Sequence, residues 1–223
     1  MHETSTGTFI LPRASKAIRR VTMGVKQHFT GSLIIGEGEG QVIEFESHTE
    51  MKTALVMLAR QEVMDVENQI PFSWIDETGI SRTHFFDFRL SMRDGTRAAL
   101  IVKNSRKAAK QDFIAETRCL ASQVTPDFAN RVSLITENHL DPIEVHNAEL
   151  IHSVRLPDPK PDAAVRKVIA QLDGAMTIKD LATATAPFGQ GFFAVVRMIG
   201  KHELELVNRE RIEPEVLVRR KFN

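Results

Sequence analysis

The strongest pattern of apolar and polar positions lies over residues 84–103. Two apolar runs rich in β-branched and aromatic residues flank Arg93-Asp94-Gly95-Thr96 there, the composition of a β-hairpin. Upstream, a glycine-rich turn, Gly36 to Gly40, leads into a short strand over 42–45. Ser47-His48-Thr49-Glu50 then opens a helix whose apolar positions Met51, Leu55, Leu58 and Val63 keep helical spacing. A strand over 70–75 and a turn at Thr78-Gly79 precede the hairpin. Downstream, a helix over 111–124 presents Phe113, Thr117, Leu120 and Val124 on one face, followed by a short apolar strand over 132–136 and helical spacing over 148–154. Helix, three strands, helix, strand is an α/β order, which predicts a mixed sheet flanked by helices.

The pattern changes at Leu156-Pro157-Asp158-Pro159-Lys160-Pro161, whose three prolines predict a stiff linker. Helices follow over 163–172, from Thr177-Ile178-Lys179-Asp180, and over 190–199 after the break at Pro187-Phe188-Gly189. With strands over 204–207 and 216–218, this order predicts a small winged helix. The expected organisation is a basic arm (1–30), an α/β domain (31–155), a linker (156–162) and a winged-helix-like domain (163–223). The third helix offers only Gln190 and Arg197 to read bases, whereas major-groove readers need several such side chains on one face. Protein docking, or weak contact with DNA, is the expectation.

Composition adds little to this picture and charge distribution adds more. Among 223 residues, 29 Lys and Arg balance 29 Asp and Glu, so net charge selects no partner class. Arg13, Lys16, Arg19, Arg20 and Lys26 near the start, and Lys103, Arg106, Lys107 and Lys110 after the hairpin, form two basic clusters suited either to solvent or to phosphate. A single cysteine, Cys119, in an apolar helical pattern reads as an inert thiol and excludes an intrachain disulfide and a cysteine-built zinc site. No apolar run reaches the roughly 18 residues of a membrane span. The N-terminus lacks the apolar stretch of a signal peptide, so a cytoplasmic location away from membranes is expected.

Candidate chemistry centres on one carboxylate, Asp87, and one amine, Lys103, placed in the apolar hairpin, where unpaired charge is costly. A two-residue Asp94-Gly95 loop would set them on opposite faces. A three-residue Arg93-Asp94-Gly95 loop, with Gly95 in the left-handed position, would put Asp87 opposite Ile101 and on the face of Lys103. The glycine favours the second register. Glu50 has its own structural explanation, because Ser-x-x-Glu is a capping box.

Six segments in order carry a resemblance: Glu46-Ser47-His48-Thr49-Glu50, Val66-Glu67-Asn68-Gln69-Ile70-Pro71, Thr83-His84-Phe85-Phe86-Asp87-Phe88, Ile101-Val102-Lys103, Leu134-Ile135-Thr136-Glu137 and Asn147-Ala148-Glu149-Leu150. Over residues 30 to 155 the chain resembles the TnsA-like transposon endonucleases of the restriction-endonuclease-like superfamily, and the order of nuclease then winged helix is similar to theirs. The resemblance implies a Mg²⁺- or Mn²⁺-dependent DNA endonuclease cutting a strand at transposon ends. Glu50, Asp87 and the Val102 carbonyl would be metal ligands, and Lys103 would orient the attacking water or stabilise the phosphorane. Gln69 and His84 would hold phosphate or orient Asp87, and Arg19, Arg20, Arg106 and Lys107, from the two basic clusters rather than from the resemblance, are the further expected DNA contacts. For His84 an ordinary half-buried histidine is the competing reading. The implied partners are DNA, a DDE-type transposase subunit cutting the other strand, and an ATPase regulator docking on the C-terminal domain. Ile101 stands where the family has Gln or an acid, and Phe86 where it has Pro. These departures supply the alternative, a catalytically degenerate accessory protein that binds DNA or transposition partners without cutting.

Overall fold

In the computed structural model, which describes residues 2–3, 7, 9–19, 29–185 and 190–221, the chain divides into two compact units, Met1–Asp141 and Pro142–Asn223. The first is mixed α/β. Short strands β1 (His2–Glu3) and β2 (Phe9–Ile10) pair with each other, as do β3 (Gly31–Ile35) and β4 (Gln41–Phe45). Helix α1 (His48–Leu58) leads into the main sheet, formed by β5 (Val63–Ile75), β6 (Ser81–Met92), β7 (Arg97–Val102) and β8 (Arg131–Ile135) in that order. Pairing is antiparallel up to β7 and parallel between β7 and β8. The parallel step needs a crossover, supplied by α2 (Ser105–Ala108) and α3 (Gln111–Ser122). Helix α1 packs against β4, β5 and β7. Leu120 of α3 closes an apolar cluster with Trp74, Phe86, Ala99, Ile101 and Ala129.

The central hairpin takes the three-residue loop. Phe88 pairs with Leu100 and Ser91 with Arg97. The Met92 amide donates to Thr96 O at 2.9 Å, and Gly95 sits at φ +83°, which a side chain resists. Strand β5 begins seven residues before the expected start at 70, and Val63 belongs to it rather than to α1. Pro71 does not interrupt it, because β5 is an edge strand and a missing amide is tolerated there.

In the second unit, α4 (Pro142–Ser153) belongs with the C-terminal core, where Leu150 and Ile151 pack, rather than closing the first domain at 155. The expected linker 156–162 is cut short. Helix α5 (Pro159–Ile169) starts inside it, with prolines in the first turn, where amides have no intrahelical acceptor. Then come β9 (Ala175–Thr177), α6 (Ile178–Thr185), α7 (Gln190–Gly200), β10 (Leu204–Leu206) and β11 (Leu217–Arg220). The strands form one sheet in the order β10-β11-β9, so β9 adds a strand to the expected pair. The break at 187–189 lies outside the described residues. Among the described residues no helix is long and apolar enough to cross a membrane.

Candidate functional site

The site begins where the β6–β7 ladder stops. Regular pairing ends at Phe88 and Leu100, and one step further the Asp87 side chain replaces the backbone as acceptor: its Oδ2 takes the Val102 amide at 2.6 Å. A carboxylate inserted between two strands parts them and leaves its other oxygen for a different partner. Across the ladder on β5, between the pairs Asn68–Phe88 and Ile70–Phe86, lies Gln69 with φ +52°, a conformation unfavourable for a residue with a Cβ. The ribbon turns over at this level: Phe86 joins the cluster around Leu120, while the ring of Phe88, two residues on, lies 6.2 Å from that of Phe45.

Glu50 reaches the site from the first turn of α1. Ser47 caps the helix, its Oγ accepting the Glu50 amide at 3.1 Å. The Glu50 carboxylate answers with one bond to each oxygen: Oε1 accepts the Ser47 hydroxyl and Oε2 the Glu46 amide, both at 2.9 Å. The reciprocal cap therefore uses the amide of Glu46 rather than that of Ser47. Capping and a role in a site coexist, since each carboxylate oxygen accepts more than one bond.

Glu50 and Asp87 are both buried, at 5% and 7% exposure, and each carboxyl is held above its usual range. For Glu50 the causes are burial first and then the charge of Asp87, opposed by the Glu46 amide, Ser47 and Lys103. For Asp87, burial dominates, opposed chiefly by Lys103 and then by the Val102 amide; Glu46 adds to the rise and Arg19 reduces it. The half-buried Lys103, anchored by its amide to Ile135 O at 2.9 Å, is the positive charge that both acids share. Its field extends to His84, whose pKa falls to about 4 through burial and then through Lys103, leaving a neutral imidazole at neutral pH.

Two buried side-chain atoms in this unit lack hydrogen-bond partners among the described residues, Gln69 Oε1 and His84 Nε2. Both lie on the strands that frame Asp87. A buried polar atom left unpaired costs about 1–3 kcal/mol, so each of these is a place where a water or a ligand would complete the bonding.

Glu50 and Asp87 thus lie within the field of Lys103, which also acts on His84, while Gln69 lies opposite Asp87 in the β5–β6 ladder and the Val102 amide is bound to Asp87. Arg19 is close enough to act on Asp87. Arg106 and Lys107 are exposed on α2, just past Lys103, and Arg20 lies outside the described residues. Ile101 is fully buried in the apolar cluster and adds no oxygen. Glu46 is the residue that inspection of motifs undervalued: its amide holds Glu50 and its side chain pairs with Arg19 at 2.6 Å. Its position immediately before the capping serine was the available signal.

Among the described residues, no group of three or more His, Cys, Asp or Glu side chains is arranged to hold a metal. The two buried carboxylates and the unpartnered Gln69 oxygen are all oxygen donors, a chemistry that suits a hard divalent cation rather than zinc or copper. Comparison of the sequence with protein-family models and with curated proteins finds no match in either.

Proposed function

We propose that the protein is a metal-dependent DNA endonuclease of the TnsA type, with a restriction-endonuclease-like first unit and a winged-helix second unit, cutting one strand at transposon ends within a heteromeric transposase. The observation that carries this reading is the placement of two buried carboxylates, Glu50 and Asp87, within the field of one lysine where the β6–β7 ladder opens. Two acids buried near one another are costly unless a proton or a cation joins them, and a cation is the partner proposed here.

Glu50, Asp87 and the Val102 carbonyl would hold Mg²⁺ or Mn²⁺. When bound, such an ion supplies positive charge to the phosphoryl oxygens and acidifies water near neutral pH. The chain's own groups do the rest. Lys103 places a compact cation where negative charge grows on the phosphorane. His84, neutral at neutral pH, and Gln69 offer hydrogen bonds to a phosphate or to Asp87. Burial of both acids keeps bulk water from screening these interactions.

A DDE-type transposase subunit and an ATPase regulator are the proposed partners. The helix α7 favours docking over base reading, because Arg197 is committed to a buried ion pair with Asp162 at 2.7 Å. Ile101, wholly within the apolar core, favours the second reading, a nuclease fold that binds DNA or partners without cutting.

Incubating the full chain, alone and with its transposase partner, with duplex DNA carrying candidate ends and Mg²⁺ or Mn²⁺ tests the proposal. Strand cleavage that disappears in Asp87→Ala is expected. No cleavage in any combination, or cleavage indifferent to that substitution, would sink the enzymatic reading.

A further inference from the structure

Part of the N-terminal segment, expected as a loose arm, is tied along β4. The Arg13 amide donates to Gly40 O at 3.0 Å, the Val42 amide donates to Arg13 O at 2.9 Å, and Gln41 Nε2 donates to Ala14 O at 2.6 Å. Six residues beyond Arg13, this strap delivers Arg19 to the entrance of the site. Arg19 Nη2 donates to Glu46 Oε1 at 2.6 Å, and the guanidinium carbon lies 6.0 Å from the centre of the Phe85 ring. Glu46 and Phe85 are the neighbours of the two acids: the Glu46 amide holds Glu50, and Phe85 stands two residues before Asp87. The guanidinium therefore lies between the segment leading into the helix that carries one acid and the strand that carries the other.

A structural ion pair is the simplest account of such a contact, yet the geometry is poor for that purpose. One N–H out of five is used on Glu46, and the side chains of the pair are 46% and 36% exposed, where ion pairs contribute little to stability. The same arrangement is well suited to exchange. A phosphodiester offers two oxygens that match the guanidinium fork, whereas Glu46 engages it through a single bond. Arg19 and Glu46 already act in opposite directions on Asp87, which puts both within the field of that acid.

We infer that Arg19 is a phosphate-binding residue of this site, parked on Glu46 in the absence of nucleic acid and transferred to the backbone phosphate when DNA enters. This rests on the phosphodiester reading above. Glu46 then sets the cost of recruiting the arginine, and so tunes affinity without touching substrate.

The test is a double-mutant cycle on binding of a fluorescein-labelled duplex to the full chain, with Ca²⁺ replacing Mg²⁺, read by anisotropy across a salt series. Arg19→Ala is expected to weaken binding roughly tenfold. It should also reduce the slope of log K against log salt by about 1. Glu46→Gln is expected to tighten binding several-fold, and that gain should vanish in the Arg19→Ala background. Arg19→Lys, which keeps the charge without the fork, should retain the salt slope and lose part of the affinity. An unchanged affinity and slope in Arg19→Ala would overturn the inference. So would a Glu46→Gln gain that persists without Arg19, because Glu46 would then act only through its own charge. Thermal denaturation of each variant identifies any loss of fold. Cleavage is not read in this assay, so a failure of the nuclease reading, seen with Asp87→Ala, is separable from a failure of Arg19.

Discussion

Asp87 concentrates the tension in this molecule. It sits in the interior, takes a short hydrogen bond from Val102, and is still raised above its ordinary pKa of 3.8, chiefly by burial. An acid whose folded pKa is raised disfavours folding once ionised. The cost is absent below 3.8, grows as pH rises through the folded value, and is constant above it. Asp87→Asn keeps an acceptor for the Val102 amide and removes the charge. It is expected to be more stable than the wild type at neutral pH by about 0.5–2 kcal/mol, the usual range for relieving such a conflict. The two proteins should converge in acid, which denaturant titrations at several pH values would check. A wild type that is the more stable at neutral pH would mean that Lys103 over-compensates burial. Gln69 tells the same story in backbone terms: a left-handed φ and an orphaned oxygen persist together opposite this acid, and neither is explained by packing.

Elements hold these residues in place, and they differ in how plainly the sequence announced them. The hairpin register was legible because Gly95 can occupy the left-handed position of a three-residue loop and a two-residue loop would have wasted it. The capping role of Glu50 was legible for the same local reason. Strand β3 and the first half of β5 were not: β3 is a five-residue run recognisable only by its pairing with β4 across the glycine-rich turn, and a run containing Asp65, Glu67 and Asn68 takes its strand state from β6, distant in sequence. Nor did the sequence disclose that Arg197 faces inward. Its pairing with Asp162 joins α5 to α7, with 3% and 7% side-chain exposure. Removing one member strands a charge, so Arg197→Ala should cost about 3–5 kcal/mol. Joint replacement, Asp162→Leu with Arg197→Met, should restore most of that, as followed by chemical denaturation. A large loss that the double variant does not recover would show that the pair is needed for more than its charges.

On the scale of the whole chain, two units of different kinds follow one another, and the candidate chemistry lies entirely within the first. The composition of the chain hides this, because equal numbers of acids and bases average over a pair of buried acids acted on by Lys103 and Arg19. The site itself was half legible. Asp87 and Lys103 stood out as charges in apolar strands and Glu50 was supplied by the resemblance, whereas the strap that brings Arg19 and the exchangeable pair with Glu46 depend on tertiary placement that no local pattern encodes. A hard cation shared by Glu50 and Asp87 is what makes these residues a catalytic centre rather than a pair of buried acids. Calorimetric titration of the full chain with Mn²⁺ at neutral pH measures this directly. The wild type and Lys103→Met are predicted to bind, while Glu50→Gln and Asp87→Asn each lose the site. An absence of binding in the wild type, or equal binding by all four proteins, would contradict the proposed metal centre.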